Sequence, residues 1–253
     1  MILKKWEQLP PEMQTPEVRK YYDVLRKKRT GLFFKRVFDV VVSAIMLVVL
    51  SPVFLVLAIA IKIDSRGPVF FRQTRITQYN KKFRIFKFRS MVQDADKGIS
   101  LTLTDDDRIT RVGKFMRDSR LDEISQLIDV FRGKMTFVGT RPEVLKYVDK
   151  YTPEMMATLL LPAGITSLAS IYYKDEARLY DPEKDVETSY IEDVLPAKMH
   201  YNLKAIEHYS FWEDIKIMFM TVFAVLGKEY HFDDFADSKI DENKDDSEVT
   251  TNV

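Results

Sequence analysis

Cysteine is absent from the 253 residues. This excludes a disulfide framework, a thiolate zinc site and a cysteine nucleophile, and leaves the redox compartment open. Histidine is scarce. His200, His208 and His231 are the full set of three; no H-E-x-x-H occurs, and none has an acidic partner at useful spacing. The eight glycines never stand one residue apart, so the G-x-G-x-x-G dinucleotide fingerprint is missing, as is the Walker A loop. What remains is a chain of one-domain length with 46% hydrophobic and 30% charged residues, neither disordered as a whole nor a multi-span membrane protein.

The net charge of +1 conceals segregation. Residues 1–36 sum to +6, residues 62–91 to +8 and residues 231–253 to −6. The basic blocks suit anionic lipid, phosphate or nucleic acid, and the acidic tail, 231–253, suits solvent and disorder. Between the basic blocks, Val40 to Ile61 run for 22 residues without a charge, enough for a helix to cross about 30 Å of hydrocarbon. Pro52 in the middle predicts a kink, with the Ser51 hydroxyl bonding a carbonyl that the kink frees. Both flanks are basic, so the positive-inside rule draws both ends to the same face. A re-entrant helix and a single crossing with a tolerated proline both stay open on these features.

Elsewhere, Pro16-Glu17 opens a short helix through Tyr21, Tyr22 and Leu25. Residues 69–91 read as a short hairpin or irregular strands. Leu121, Ile124, Leu127, Ile128 and Phe131 recur at helical spacing, which predicts a helix from about Asp118 or Ser119 to Gly133. Further helices are expected over 142–150, over 153–161 and through much of 183–208. Phe211 to Leu226 suits a helix lying in a membrane interface, or an ordinary buried one.

The window richest in chemistry is Arg117-Asp118-Ser119-Arg120-Leu121-Asp122-Glu123. A carboxylate can act as nucleophile, a second can hold Mg²⁺ on diphosphate oxygens, and arginines match phosphate bidentately. The same residues also make nearly a capping box, with acids in a helix's first turn. Arg141 stands at a loop-to-helix junction that can meet an anion, or is a surface arginine. Lys87 and Arg89 face phosphate or anionic lipid. Glu143, Glu192 and Asp193 read as solvated helix charges.

Several motifs stand in order along most of the chain. Lys35-Arg36-Val37-Phe38-Asp39 opens the apolar segment, and Ser51-Pro52 interrupts it. Gly67-Pro68-Val69-Phe70-Phe71-Arg72-Gln73 and Phe86-Lys87-Phe88-Arg89-Ser90-Met91 follow. Then come Asp107 to Arg117, Leu121-Asp122-Glu123 and Phe131-Arg132-Gly133 through Gly139-Thr140-Arg141-Pro142. This series resembles the bacterial sugar transferase family, the monotopic polyprenyl-phosphate phosphoglycosyl transferases, from about Lys35 to Lys228.

The resemblance implies a mostly helical α/β fold with a small sheet or hairpin, held as a monotopic membrane protein by a kinked re-entrant helix and interfacial amphipathic helices. It divides the chain into a polar extension, 1–34, a transferase domain, 35–230, with the re-entrant helix at 37–61, and the tail. It implies transfer of a sugar-1-phosphate from a UDP-sugar to undecaprenyl (polyprenyl) phosphate, with UMP leaving, as the first step of surface-glycan assembly. Asp122 would be the nucleophile of a covalent phosphosugar intermediate. Glu123 would place Mg²⁺, and Arg117, Arg141, Lys87, Arg89 and Lys174 would hold phosphate or nucleotide. The implied place is the cytoplasmic face of a bacterial inner membrane. Membrane lipid would be a partner, nucleic acid would not, and a homodimer stays open. Some positions depart from the family pattern. Thr140 and Ser125 stand where many members have proline, and Arg120 where many have serine. Residues 167–174 replace the usual Gly-Trp-Ala-Gln-Val-x-Gly-Arg, with Lys174 in the arginine's place. That changed loop is the best support for the alternative, a non-catalytic membrane-anchored scaffold.

Overall fold

The computed structural model of the protein describes residues 3–93, 107–173, 184–227 and 230. Lys174 and the acidic tail lie outside these residues.

Helix α1 (Pro16–Lys27) begins where the sequence predicts. Proline takes its first turn, and the Thr15 hydroxyl accepts from the Val18 N–H at 3.4 Å. Its buried stripe is Val18, Tyr21, Tyr22 and Leu25. These pack with Leu3, Leu9 and Met13 ahead of the helix, and with Ile76, Leu160 and Ile206 far along the chain. The segment before residue 35 is thus part of one packed cluster with the rest.

Helix α2 (Arg29–Val49) is followed by α3 (Ser51–Asp64) with a bend of 61°. The break falls at Leu50. Pro52 sits in the first turn of α3, where its missing N–H costs nothing. The Ser51 hydroxyl donates to the Val48 carbonyl at 2.8 Å, as expected. No single helix among the described residues is long and apolar enough to cross a membrane, but the bent pair is, by length and composition.

Helix α2 is inside out relative to a soluble helix. It buries Lys35, Asp39 and Ser43 together with Leu32, and exposes Phe33, Phe34, Val37, Val41, Ile45, Val48 and Val49. The polar stripe is satisfied by the domain. Lys35 Nζ donates to the Val138 carbonyl at 2.8 Å and pairs with Asp214 at 2.7 Å. Asp39 accepts from the Thr136 hydroxyl at 2.7 Å and the Phe137 N–H at 3.2 Å. Buried polar groups need such partners, and an apolar outer face is what lipid would solvate.

The strands are short. β1 (Phe70–Phe71) pairs antiparallel with β4 (Lys87–Phe88), and β2 (Thr74–Thr77) with β3 (Lys81–Arg84). This is the hairpin expected over 69–91. Its turn places Tyr79 and Asn80 at φ 58° and 56°. Helix α4 (Arg111–Asp118) comes next and ends where a helix was expected to begin. Ser119 caps its C-terminus, its hydroxyl returning to the Phe115 carbonyl at 2.7 Å, and Arg120 turns left-handed at φ 56°. The apolar period from Leu121 is carried instead by a 3₁₀ segment, Leu121–Gln126, and then α5 (Leu127–Phe131). The capping-box reading is therefore corrected.

Strands β5 (Met135–Val138) and β6 (Ala163–Thr166) run parallel. Gly139 and Gly164 let them close up, since a Cβ on Gly164 would stand 2.2 Å from Gly139 backbone atoms. The helix expected over 142–150 shrinks to α6 (Leu145–Val148), because the Glu143 carbonyl is drawn to the Ile76 N–H at 2.9 Å. The 153–161 helix is a 3₁₀ segment, Met155–Leu160. Helix α7 (Leu168–Tyr172) follows β6. Helix α8 (Val186–Ser189), a π-helical turn (Tyr190–Val194) and α9 (Leu195–Glu207) fill most of the expected 183–208 helix. Helix α10 (Phe211–Val225) buries Ile217, Met220 and Ala224 and exposes Trp212, Phe219, Val222, Phe223 and Val225. It thus presents one face to the core and one apolar face outward.

Candidate active site

The left-handed turn at Arg120 ends α4 and starts the 3₁₀ segment that carries Asp122 and Glu123 in its first turn. Beside it lies β4, which brings Lys87. Its Nζ is 3.0 Å from Asp122 Oδ2 and 3.4 Å from Glu123 Oε1. From the loop after β5 comes Arg141. One guanidinium nitrogen donates to Glu123 Oε2 at 3.2 Å and the other to Oε1, a fork-to-fork pair. The Asp122 side chain is 3% exposed and that of Glu123 13%, against 27% for Lys87 and 38% for Arg141. The carboxylates are therefore recessed, and the cations stand at the mouth.

Burial alone would raise the Glu123 carboxyl, but Arg141 and then Lys87 outweigh it and hold it well below the usual carboxylate range. Arg141 is raised in return, chiefly by Glu123. Glu123 is thus a fixed anion, locked to two cations. Asp122 pairs with Lys87 alone of the two cations.

Lys87, Asp122, Glu123 and Arg141 are therefore brought together, from β4, the 3₁₀ segment and the β5 loop. Arg117 lies on the last turn of α4, its Nε donating to the Ser90 hydroxyl at 3.0 Å. Arg89 is turned away from the dyad. It is buried, and its Nη2 donates to the Ser65 carbonyl at 2.7 Å and the Ser65 hydroxyl at 2.9 Å, tying β4 to the end of α3. Lys174 falls outside the described residues.

Sequence reasoning overlooked several residues. Glu143 is 7% exposed, with Tyr190 donating to it at 2.6 Å, so its reading as a solvated charge is corrected. Arg75 lies against it, and donates to the Pro142 carbonyl at 3.2 Å. Lys35 and Asp39 stand in the sequence as flanking charge and motif; their i, i+4 spacing inside an apolar helix is the signal that they share one buried face.

Among the described residues, no three His, Cys, Asp or Glu side chains form a group able to hold a metal by themselves. Mg²⁺ needs fewer, usually one or two carboxylates with phosphate oxygens and water completing its shell. Glu123, with phosphate oxygens and water, fits that donor set.

Residues 30–228 match the family described as bacterial sugar transferase. The chain is similar to a UDP-glucose:undecaprenyl-phosphate glucose-1-phosphate transferase of Klebsiella pneumoniae, 38% identical over 200 residues, covering 76% of this chain and 40% of that protein. It is also similar to a UDP-N-acetylgalactosamine-undecaprenyl-phosphate N-acetylgalactosaminephosphotransferase of Aeromonas hydrophila, 34% identical over 198 residues, 77% of this chain and 44% of that protein. A Caulobacter vibrioides protein with the same name as the Klebsiella one is 34% identical over 196 residues, 76% of this chain and 69% of its own length. The chain thus spans about two fifths of the first two relatives.

Proposed function

The chain belongs to the bacterial sugar transferase family, and from that premise we propose that it moves a sugar-1-phosphate from a UDP-sugar to undecaprenyl phosphate and releases UMP. The observation that carries this reading is the recessed Asp122–Glu123 pair ringed by Lys87 and Arg141. Two carboxylates in contact with two cations suit chemistry at a diphosphate, whose own charge the cations can take over.

In this reading an Asp122 oxygen attacks the phosphorus that bears the sugar. The bond from that phosphorus to the bridging oxygen breaks, and UMP leaves with that oxygen. Asp122 loses its charge on forming the acyl phosphate, which frees Lys87, now 3.0 Å from it, for the phosphoryl oxygens. An oxygen of the lipid phosphate then attacks the same phosphorus, and Asp122 departs as a carboxylate. Arg141 holds phosphate oxygens through the fork that now grips Glu123. Glu123 would hold Mg²⁺, which would supply charge neutralisation at the diphosphate. Arg117, next to Ser90, serves the nucleotide side.

The lipid substrate requires the site to work at a membrane. The outward apolar faces of α2 and α10, and the bend between α2 and α3, support a re-entrant pair in one leaflet, and the basic residues on both flanks of the pair favour the cytoplasmic face for the catalytic part. The relatives named above differ in their sugar, so the sugar is left to experiment. The product, a lipid-linked sugar diphosphate, would start assembly of a surface glycan.

The test is UMP release by detergent- or nanodisc-embedded protein with Mg²⁺, undecaprenyl phosphate and a panel of UDP-sugars. Release that needs both lipid and metal, with one sugar preferred, is the expected result. Silence across the panel from folded, membrane-bound protein would refute it and favour the scaffold reading.

A further inference from the structure

Glu143 sits two residues after Arg141 and takes no part in the dyad. It is held by three elements. The Tyr190 hydroxyl of the π-helical turn donates to Oε1 at 2.6 Å. Arg75 of β2 is 3.9 Å from Oε2, and Lys198 of α9 is 3.9 Å from Oε1. The backbone is clamped too. The Glu143 carbonyl accepts from the Ile76 N–H at 2.9 Å, and the Pro142 carbonyl from Arg75 at 3.2 Å. The residues just after Arg141 are therefore fixed to β2 by main chain, and to α9 and the π-helical turn by side chain.

Two sets of alternating charges meet here, with the cations Arg75 and Arg141 side by side where they join. Lys198 meets Glu143, Glu143 meets Arg75, Arg141 meets Glu123, and Glu123 meets Lys87, which reaches Asp122. Arg75 is close enough to feel both Arg141 and Glu123. With Glu143 neutral, Arg75 would have Glu123 as the next carboxylate in the array, and would compete with Arg141 for it. Arg75 is only partly buried, but a cation shielded from much of the solvent still seeks such a partner, because an uncompensated charge there is costly.

We propose that Glu143 is the positioning residue of Arg141: it neutralises Arg75 and Lys198 and anchors the turn, so that the Arg141 fork is kept for the dyad and the diphosphate. This rests on the reading of Arg141 as a diphosphate-binding group.

The experiment is a double-mutant cycle. UDP binding is measured by calorimetry, and KM and kcat by UMP release, for Glu143→Gln, Arg141→Ala and the two combined. Glu143→Gln keeps the shape and loses the charge. It should raise the UDP Kd and the KM about tenfold, within the range of coupled neighbours, while kcat changes less. Glu143→Asp, which keeps the charge, should recover part of the loss. In the Arg141→Ala background, Glu143→Gln should add nothing. An equal, additive loss there would overturn the proposal and leave Glu143 a merely structural residue. Wild type that binds no UDP would refute the functional reading and this proposal with it; wild type that binds UDP with additive variants would refute this proposal alone. Should Glu143→Gln fail to fold, Tyr190→Phe removes one bond and no charge. It should give the same non-additive pattern with a shift of about threefold, and additivity there overturns the proposal equally.

Discussion

Replacing Asp39 by alanine should cost about 2–6 kcal/mol of folding free energy. The carboxylate is 1% exposed and receives two bonds, from the Thr136 hydroxyl at 2.7 Å and the Phe137 N–H at 3.2 Å. Both donors are buried on β5, and each orphaned buried donor costs about 1–3 kcal/mol. Domains of this size are stable by about 5–15 kcal/mol, so the loss is a large share. Lys35 keeps Asp214 and the Val138 carbonyl in the variant, so no second charge is stranded. Asp39→Asn retains one acceptor oxygen and should cost about half as much. On the opposite face of α2, Ile45→Ala removes an exposed side chain and should stay within about 0.5 kcal/mol. The assay is thermal unfolding in a mild detergent, followed by the fluorescence of Trp6 and Trp212, the two tryptophans. A cost of this size shifts the midpoint by roughly 5–20 °C in a domain of this length. The reasoning is refuted if Asp39→Ala costs no more than Ile45→Ala, for then the polar stripe would not be what holds α2 to the domain.

The other expectations concern the site, the membrane and acid. Asp122→Asn should abolish UMP release and leave membrane association unchanged; full activity in that variant would remove Asp122 from its role. Because the chain has no cysteine, single cysteines at Lys28 and Arg66, ahead of and beyond the bent pair, can be labelled from one side of sealed vesicles. A membrane-impermeant maleimide should reach both from the cytoplasmic side, and labelling from opposite sides would show a crossing. The Glu123 carboxyl is depressed in the fold by Arg141 and Lys87. Its contribution to stability is therefore complete above the ordinary glutamate value of about 4.3 and is lost as pH falls below it. Asp214, raised by burial, acts in the opposite sense. Unfolding midpoints measured from pH 8 down to 3 should fall at the acid end, and Glu123→Gln should flatten that fall; an unchanged acid limb would refute the assignment.

Local patterns were legible where a single residue dictates a local outcome. Pro16 after Thr15 set the start of α1, and Ser51-Pro52 set the break between α2 and α3, because proline's missing N–H and fixed φ act on its own neighbours. The hairpin over 69–91 followed from partial alternation. The helix assigned from Asp118 failed for a reason that periodicity cannot carry. A 3₁₀ turn followed by a short α-helix repeats nearly as one helix does, and nothing in the type of residue 120 announces a left-handed arginine.

The sequence by itself determined the family, through motifs in a fixed order, and with it the Asp122–Glu123 dyad. Motif residues are chosen for chemistry, so their types and spacing survive as text. It also determined the unbroken apolar run and the basic blocks on either side of it. Only the tertiary structure decided which side of α2 faces the domain, since an apolar run has no inside or outside until Lys35 and Asp39 find Asp214 and β5. Only it separated Arg89, whose Nη2 bonds Ser65, from Lys87 two residues earlier, because the chain leaves β4 after Phe88 and the two side chains meet different elements. Only it turned Glu143 from a surface charge into the buried centre of Arg75, Tyr190 and Lys198. Those partners lie up to 68 residues away in sequence (from 143 back to 75), and pairing over such separations is set by how the elements pack, which no local pattern encodes.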